Sequence, residues 1–225
     1  MSASSTSAVG PRASSGALFT AAAVGVTIVS WASAFPAIRA GVAHFGALEL
    51  GALRFAIAAA PAALFLVAMR PAWPARSDLW RFAFGGLVHV ALYTTLMNLG
   101  EQIVSAGAAS FIVNVNPIIT AALAVAVLGE RFSAIAWGGA MLSFAGIGLI
   151  AFGDGGGLDL GLGAVFILGS ALCQALTTIV QKPLFARHAA LTVSASNMVI
   201  GALFLAPWLP NALAQAATAG PQPLW

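Results

Sequence analysis

The chain alternates long apolar stretches with short polar links. Runs of about 20 apolar residues, the length that crosses a hydrocarbon core about 30 Å thick, recur from end to end. Seven such spans can be drawn, over 17–38, 46–69, 80–99, 103–128, 133–152, 160–181 and 191–209. A lone segment inside a bilayer satisfies all its backbone polar groups only as a helix, so the pattern predicts an all-α polytopic membrane protein. Residues 70–81 (RPAWPARSDLWR) form the longest link, with two prolines and a basic bias. Residues 153–161 (GDGGGLDLG) form a glycine loop carrying Asp154 and Asp159. Residues 1–16 are rich in Ser, Ala and Gly and are expected to be a disordered cytoplasmic tail. The stretch after them is too long for the apolar region of a cleavable signal peptide. Residues 210–225 carry no charge and are expected to be a small polar tail.

Composition sharpens this picture. Nine Lys/Arg and six Asp/Glu make 7% of 225 residues, against about 25% in a soluble globular protein. A net charge of +3 is too small to mark a nucleic-acid partner. The single cysteine, Cys173, excludes an intrachain disulfide and a cysteine-based metal cluster. The basic residues instead orient the chain. With the N-terminus in the cytoplasm, Arg12, Arg70, Arg76, Arg81, Arg131, Lys182 and Arg187 lie inside and Arg39 lies outside, while Arg54 falls within the second span. This positive-inside bias predicts a multi-pass protein of the cell (inner or plasma) membrane, with the acidic loop facing outward.

A faint internal echo relates the first and second spans to the sixth and seventh when Arg39 is aligned with Lys182. The offset is five spans, an odd number, so the second copy would insert upside down, as in many secondary transporters.

Four stretches carry a resemblance to a known family. They are Trp31-Ala-Ser-Ala-Phe35 with Arg39; Leu53-Arg54-Phe55; Asn116-Pro117 followed by Thr120; and Leu128-Gly129-Glu130-Arg131, leading into Gly138, Gly146 and Gly148. With these the chain resembles the drug/metabolite transporter superfamily, in its EamA-type branch. The resemblance covers residues 17–152 and continues more vaguely to 209. It implies ten helices in two inverted five-helix repeats around a substrate cavity. On that plan 17–152 is the first repeat and 160–209 supplies the first two helices of a second, so helices eight to ten are expected to be missing. The chain is then either a fragment or a truncated product, inactive or dependent on a partner such as a second copy.

Polar side chains inside apolar spans are costly in lipid and are candidates for function. His89, near the middle of the third span, shares a helical face with Tyr93, Phe82 and Met97. It is either a group in a substrate path or a histidine bonded to a neighbouring helix. Thr94 and Asn98 mark a second face. In the fourth span Pro117 has no N–H for the carbonyl of Val113, so the helix is expected to kink or open there. Asn114 and Asn116 flank the break, either lining a cavity or merely repairing it. Ser170, Gln174, Thr177, Thr178 and Gln181 form a polar stripe on the sixth span, facing a pathway or another helix. Trp31 and Phe35 lie one turn apart on the first span and either bound a cavity or pack against lipid and core. Arg54 is expected to snorkel, and Glu130 and Arg131 to cap a cytoplasmic turn, all in structural roles. Gly139 and Ser143 form a small-residue pair for close packing.

The leading expectation is a carrier of small metabolites, such as amino acids or amphipathic compounds, that acts as an exporter by alternating access. Trp31, His89, Tyr93, Asn98, Asn114, Asn116 and Gln174 are expected to touch substrate. All six acidic residues lie at span ends or in loops. This favours gradient-driven movement without a buried carboxylate, or coupling through His89 or through the missing helices. No cofactor is expected. The chain has no P-loop, HExxH or GxSxG motif. A retinal receptor would need a lysine inside its last span, whereas the one lysine, Lys182, ends the sixth. A membrane-embedded enzyme acting on a lipid-linked substrate is disfavoured, because His44, His89 and His188 fall outside, mid-span and inside.

Overall fold

The structure is a computed structural model that describes residues 15–153 and 161–219. Among these residues there is no strand. Six helical rods are long and apolar enough to cross a membrane: Phe19–Val42, Ala47–Met69, Arg76–Ile103, Ala106–Leu128, Leu162–Ala186 and Ala190–Thr218. Two rods are single helices, α1 (Ser15–Val42) and α2 (Ala47–Met69). The third is composite: α3 (Arg76–Phe84), a π-helical segment (Gly85–Leu92) and α4 (Tyr93–Ile103). The fourth is α5 (Ala106–Val113) and α6 (Asn116–Leu128), with Pro117 in the first turn of α6. A further helix, α7 (Ala134–Gly153), follows where the fifth span is expected. Then come α8 (Leu162–Gln181) with a 3₁₀ turn at Lys182–Ala186, and α9 (Ala190–Leu205). A 3₁₀ turn at Ala206–Trp208 joins α9 to α10 (Leu209–Ala219).

Several boundaries differ from the sequence expectation. The third rod starts at Arg76 and ends at Ile103 rather than covering 80–99. The link to the fourth shrinks to Val104 and Ser105, whose Oγ accepts the Ala108 N–H at 3.2 Å as an N-cap. Residues 210–219 are helix and not tail. Pro207 and Pro210 fall in first turns, where a missing N–H breaks no helical bond. Gln215 of α10 also accepts the Gly46 N–H at 3.1 Å, tying this last helix to the start of α2. Residues 1–14, the loop with Asp154 and Asp159, and residues 220–225 lie outside the described residues.

Lipid offers no hydrophobic drive between helices, so close packing of small residues holds rods together. α9 lies along α2 and the π segment, and α8 along α4 and α6. At Gly86 an added Cβ would strike Ile200, and at Gly201 it would strike Val90. These two glycines let the π segment and α9 touch backbone to backbone. Gly163 of α8 meets Val104 in the same way, 2.8 Å from a would-be Cβ. Ile38, Leu50, Met97, Ala109 and Ile167 form the main core. α1 is peripheral, presenting Phe19, Ile28 and Trp31 on its exposed surface.

Candidate functional site

The π segment sets the site. Its i→i+5 bonds widen the turn that carries His89, and π turns recur at functional positions. Gly85 makes the widened turn compatible with close neighbours, since a Cβ there would collide with Gln181 and Asn197. Those two residues form a closed amide pair. Gln181 Nε2 donates to Asn197 Oδ1 at 2.9 Å, and Asn197 Nδ2 donates to Gln181 Oε1 at 2.9 Å. Gln181 Nε2 also donates to the Arg81 carbonyl at 3.0 Å. Three rods are thus locked by one polar contact.

Gln181 and Asn197 both line a cavity of about 380 Å³ between the third rod, α8 and α9, with Phe55 of α2 also on its wall. His89 and Tyr93 line it from the third rod, Gln174 and Thr178 from α8, and Ser194 from α9. The His89 and Tyr93 rings lie 5.6 Å apart, tilted by 34°. His89 Nδ1 is buried without a hydrogen-bond partner. Thr177 and Thr178 donate to the carbonyls of Cys173 and Gln174 at 2.8 and 3.0 Å, which leaves their hydroxyl oxygens free to accept. The wall holds an imidazole, a phenol, amides and hydroxyls, and no Asp, Glu, Lys or Arg. Its volume is at the low end of ligand pockets. A larger hollow of about 760 Å³ lies between Leu66, Trp73, Phe82 and Val199, with a mostly apolar wall. Among the described residues, no group of three or more His, Cys, Asp or Glu is placed to hold a metal.

Of the residues expected to touch substrate, the cavity brings His89, Tyr93 and Gln174 together. The other four lie elsewhere. Trp31 is 70% exposed on α1. Asn98 is fully buried and donates to the Ala47 carbonyl at 2.7 Å, joining the third rod to the start of α2. Asn114 is exposed and donates to its own helix at Ser110, 2.6 Å. Asn116 donates to the Ala171 carbonyl of α8 at 2.9 Å and accepts from Thr120 at 3.4 Å. Glu130 pairs with Lys182, while Arg131 is exposed. Arg54 is half-buried.

Sequence reasoning passes over two acidic residues that the fold buries. Asp78 is 1% exposed in the first turn of α3. Arg187 Nη1 reaches both its oxygens, at 2.9 and 3.1 Å, Arg81 Nη1 lies 3.3 Å away and His188 Nε2 3.8 Å. This cluster ties the start of the third rod to the link after α8. Glu101, near the end of α4, is 0% exposed. The signal available for both was position: each lies within three residues of a helix end, close enough for a slightly longer helix to carry it inside.

The EamA-like transporter family model matches residues 17–152. A "probable terminal-alkyne amino-acid exporter" of Streptantibioticus cattleyicolor is 34% identical over 194 residues, covering 86% of this chain and 65% of that protein. An uncharacterized transporter of Bacillus subtilis, YdfC, is 36% identical over 151 residues, 67% of this chain and 49% of its own. One of Archaeoglobus fulgidus is 28% identical over 189 residues, 84% of this chain and 66% of its own. The chain therefore spans between half and two thirds of the length of these curated relatives. No solved structure matches. The chain belongs to the EamA-like transporter family of multi-pass membrane proteins.

Proposed function

We propose that the protein is a secondary transporter of the cell membrane that exports small metabolites of amino-acid size and polarity. The observation that carries this is the composition of the cavity wall. His89 and Tyr93 come from residues 17–152, which we assign to a first five-helix repeat. Gln174 and Ser194 come from 160–209, assigned to the start of a second, inverted one. A substrate held by both walls feels any rocking of one repeat against the other, which is the geometry alternating access requires. The uncharged polar wall suits a zwitterion or an amphipathic compound. The amino-acid exporter among the relatives supports both that class and the outward direction. The end of the bundle carrying Arg70, Arg81, Lys182 and Arg187 is assigned to the cytoplasm by the positive-inside rule.

The test is efflux of labelled amino acids from cells or liposomes carrying the protein. Replacing His89 and Gln174 by alanine is expected to cut efflux at least about tenfold, the equivalent of about 1.4 kcal/mol. Unchanged efflux in the double variant overturns the assignment of this cavity.

A further inference from the structure

Glu101 is fully buried near the end of the third rod and, unlike the equally buried Asp78, forms no ion pair among the described residues. Both its carboxylate oxygens are buried without a hydrogen-bond partner. So is Oδ1 of Asn98, three residues earlier on the same face of α4. The amide orientation of Asn98 is fixed, because its nitrogen must face the Ala47 carbonyl, which can only accept. Three buried acceptor oxygens therefore share one helix face without a donor. A bare carboxylate in such a place is strongly unfavourable unless a cation or a proton compensates it.

The charged and titratable groups facing Glu101 are few. From α1, Arg39 Nη1 donates to the carbonyls of Glu101 itself and of Val104, so it caps the end of α4 rather than pairing with the carboxylate. From α2, Arg54 is within electrostatic reach, but among the described residues it forms no ion pair with Glu101. From the same rod, Tyr93 feels both Arg54 and Glu101, and its ring lines the cavity. α5 and α8, which also pack on α4, bring no Asp, Glu, Lys, Arg or His. Three oxygens are too few to replace the hydration of a metal cation. A proton needs only one oxygen. It turns the carboxylate into a neutral acid whose O–H has a ready acceptor in Asn98 Oδ1.

We propose that Glu101 is a proton-binding site of the carrier, with Asn98 as its hydrogen-bond partner, and that its proton is exchanged against the substrate. The coupling half of this rests on the transporter assignment above; the binding half does not. A proton taken up from water at the Arg39 end bonds to one carboxylate oxygen. It leaves to water at the opposite end after the repeats rock, as substrate moves the other way. No bond in the substrate changes.

Two measurements on the protein in liposomes test it separately. Infrared spectra are expected to show a carboxylic-acid carbonyl band that titrates with pH and vanishes in Glu101→Gln. In Asn98→Ala, which keeps the acid but removes its acceptor, the band is expected to shift. A wild-type spectrum with no such band overturns the site, as does a band that Glu101→Gln leaves in place. At zero membrane potential, a one-unit pH gradient is expected to drive about tenfold accumulation of substrate at one proton per molecule, and none in Glu101→Gln. Accumulation driven by a sodium gradient instead, or wild-type flux indifferent to pH, overturns the coupling. If the band behaves as stated and no amino acid is moved under any gradient, the proton site stands and the transporter assignment falls.

Discussion

A buried carboxylate is tolerated where cations surround it, and Asp78 meets that condition with Arg187, Arg81 and His188. Removing the carboxylate strands those cations, although Arg187 is half exposed and can rehydrate. Asp78→Ala is therefore expected to destabilise the protein by about 2–3 kcal/mol, below the ~3–5 kcal/mol of a fully buried broken pair. Glu130→Ala removes an exposed pair with Lys182 and is expected to cost at most about 1 kcal/mol. Thermal unfolding in detergent compares the two, and equal losses would contradict the electrostatic account. At this scale His89, Tyr93 and Gln174 were legible because polar groups stand out inside apolar runs. Asn114 and Asn116 stand out equally, yet both donate to backbone carbonyls, and no sequence pattern tells a backbone-bonded amide from one facing a cavity. Glu101 was illegible for the opposite reason: two residues from a helix end, it reads as part of a link.

Among the elements, the π segment carries the site and left the least trace in the sequence. Its eight residues are apolar apart from His89, and hydrophobic periodicity does not separate a π turn from an α turn. The visible clue was Gly85-Gly86, and both glycines are used for close approach to α8 and α9. Gly85→Leu must drive a side chain into the Gln181–Asn197 pair. It is expected to abolish transport and to lower the unfolding temperature more than Gly138→Leu, whose Cβ position is open space. Equal effects of the two substitutions on unfolding temperature would show that the close approach is not stabilising. The rods themselves were readable from length and apolarity alone. Their ends were not, because Pro207 and Pro210 look like helix stops until their positions in first turns are known.

The whole molecule separates a basic end from an end holding Arg39, Glu49 and Glu101, and that separation predicts orientation. His44→Cys, in the link at the Arg39 end, is expected to react with an impermeant maleimide on intact cells. Ser133→Cys, at the basic end, is expected to react only after permeabilisation; the reverse pattern would invert the bundle and with it the assigned direction. Cys173 is buried and leaves the labelling background low. Passage of a small molecule through the cavity between His89 and Gln174 can be followed with a cysteine in the cavity wall. In a Cys173→Ser background, Gln174→Cys is placed in the cavity wall, and its labelling by a thiol reagent is followed together with amino-acid flux. Labelling is expected to stop flux, and excess substrate is expected to slow labelling. Complete labelling with undiminished flux and no protection by substrate would contradict passage through this cavity.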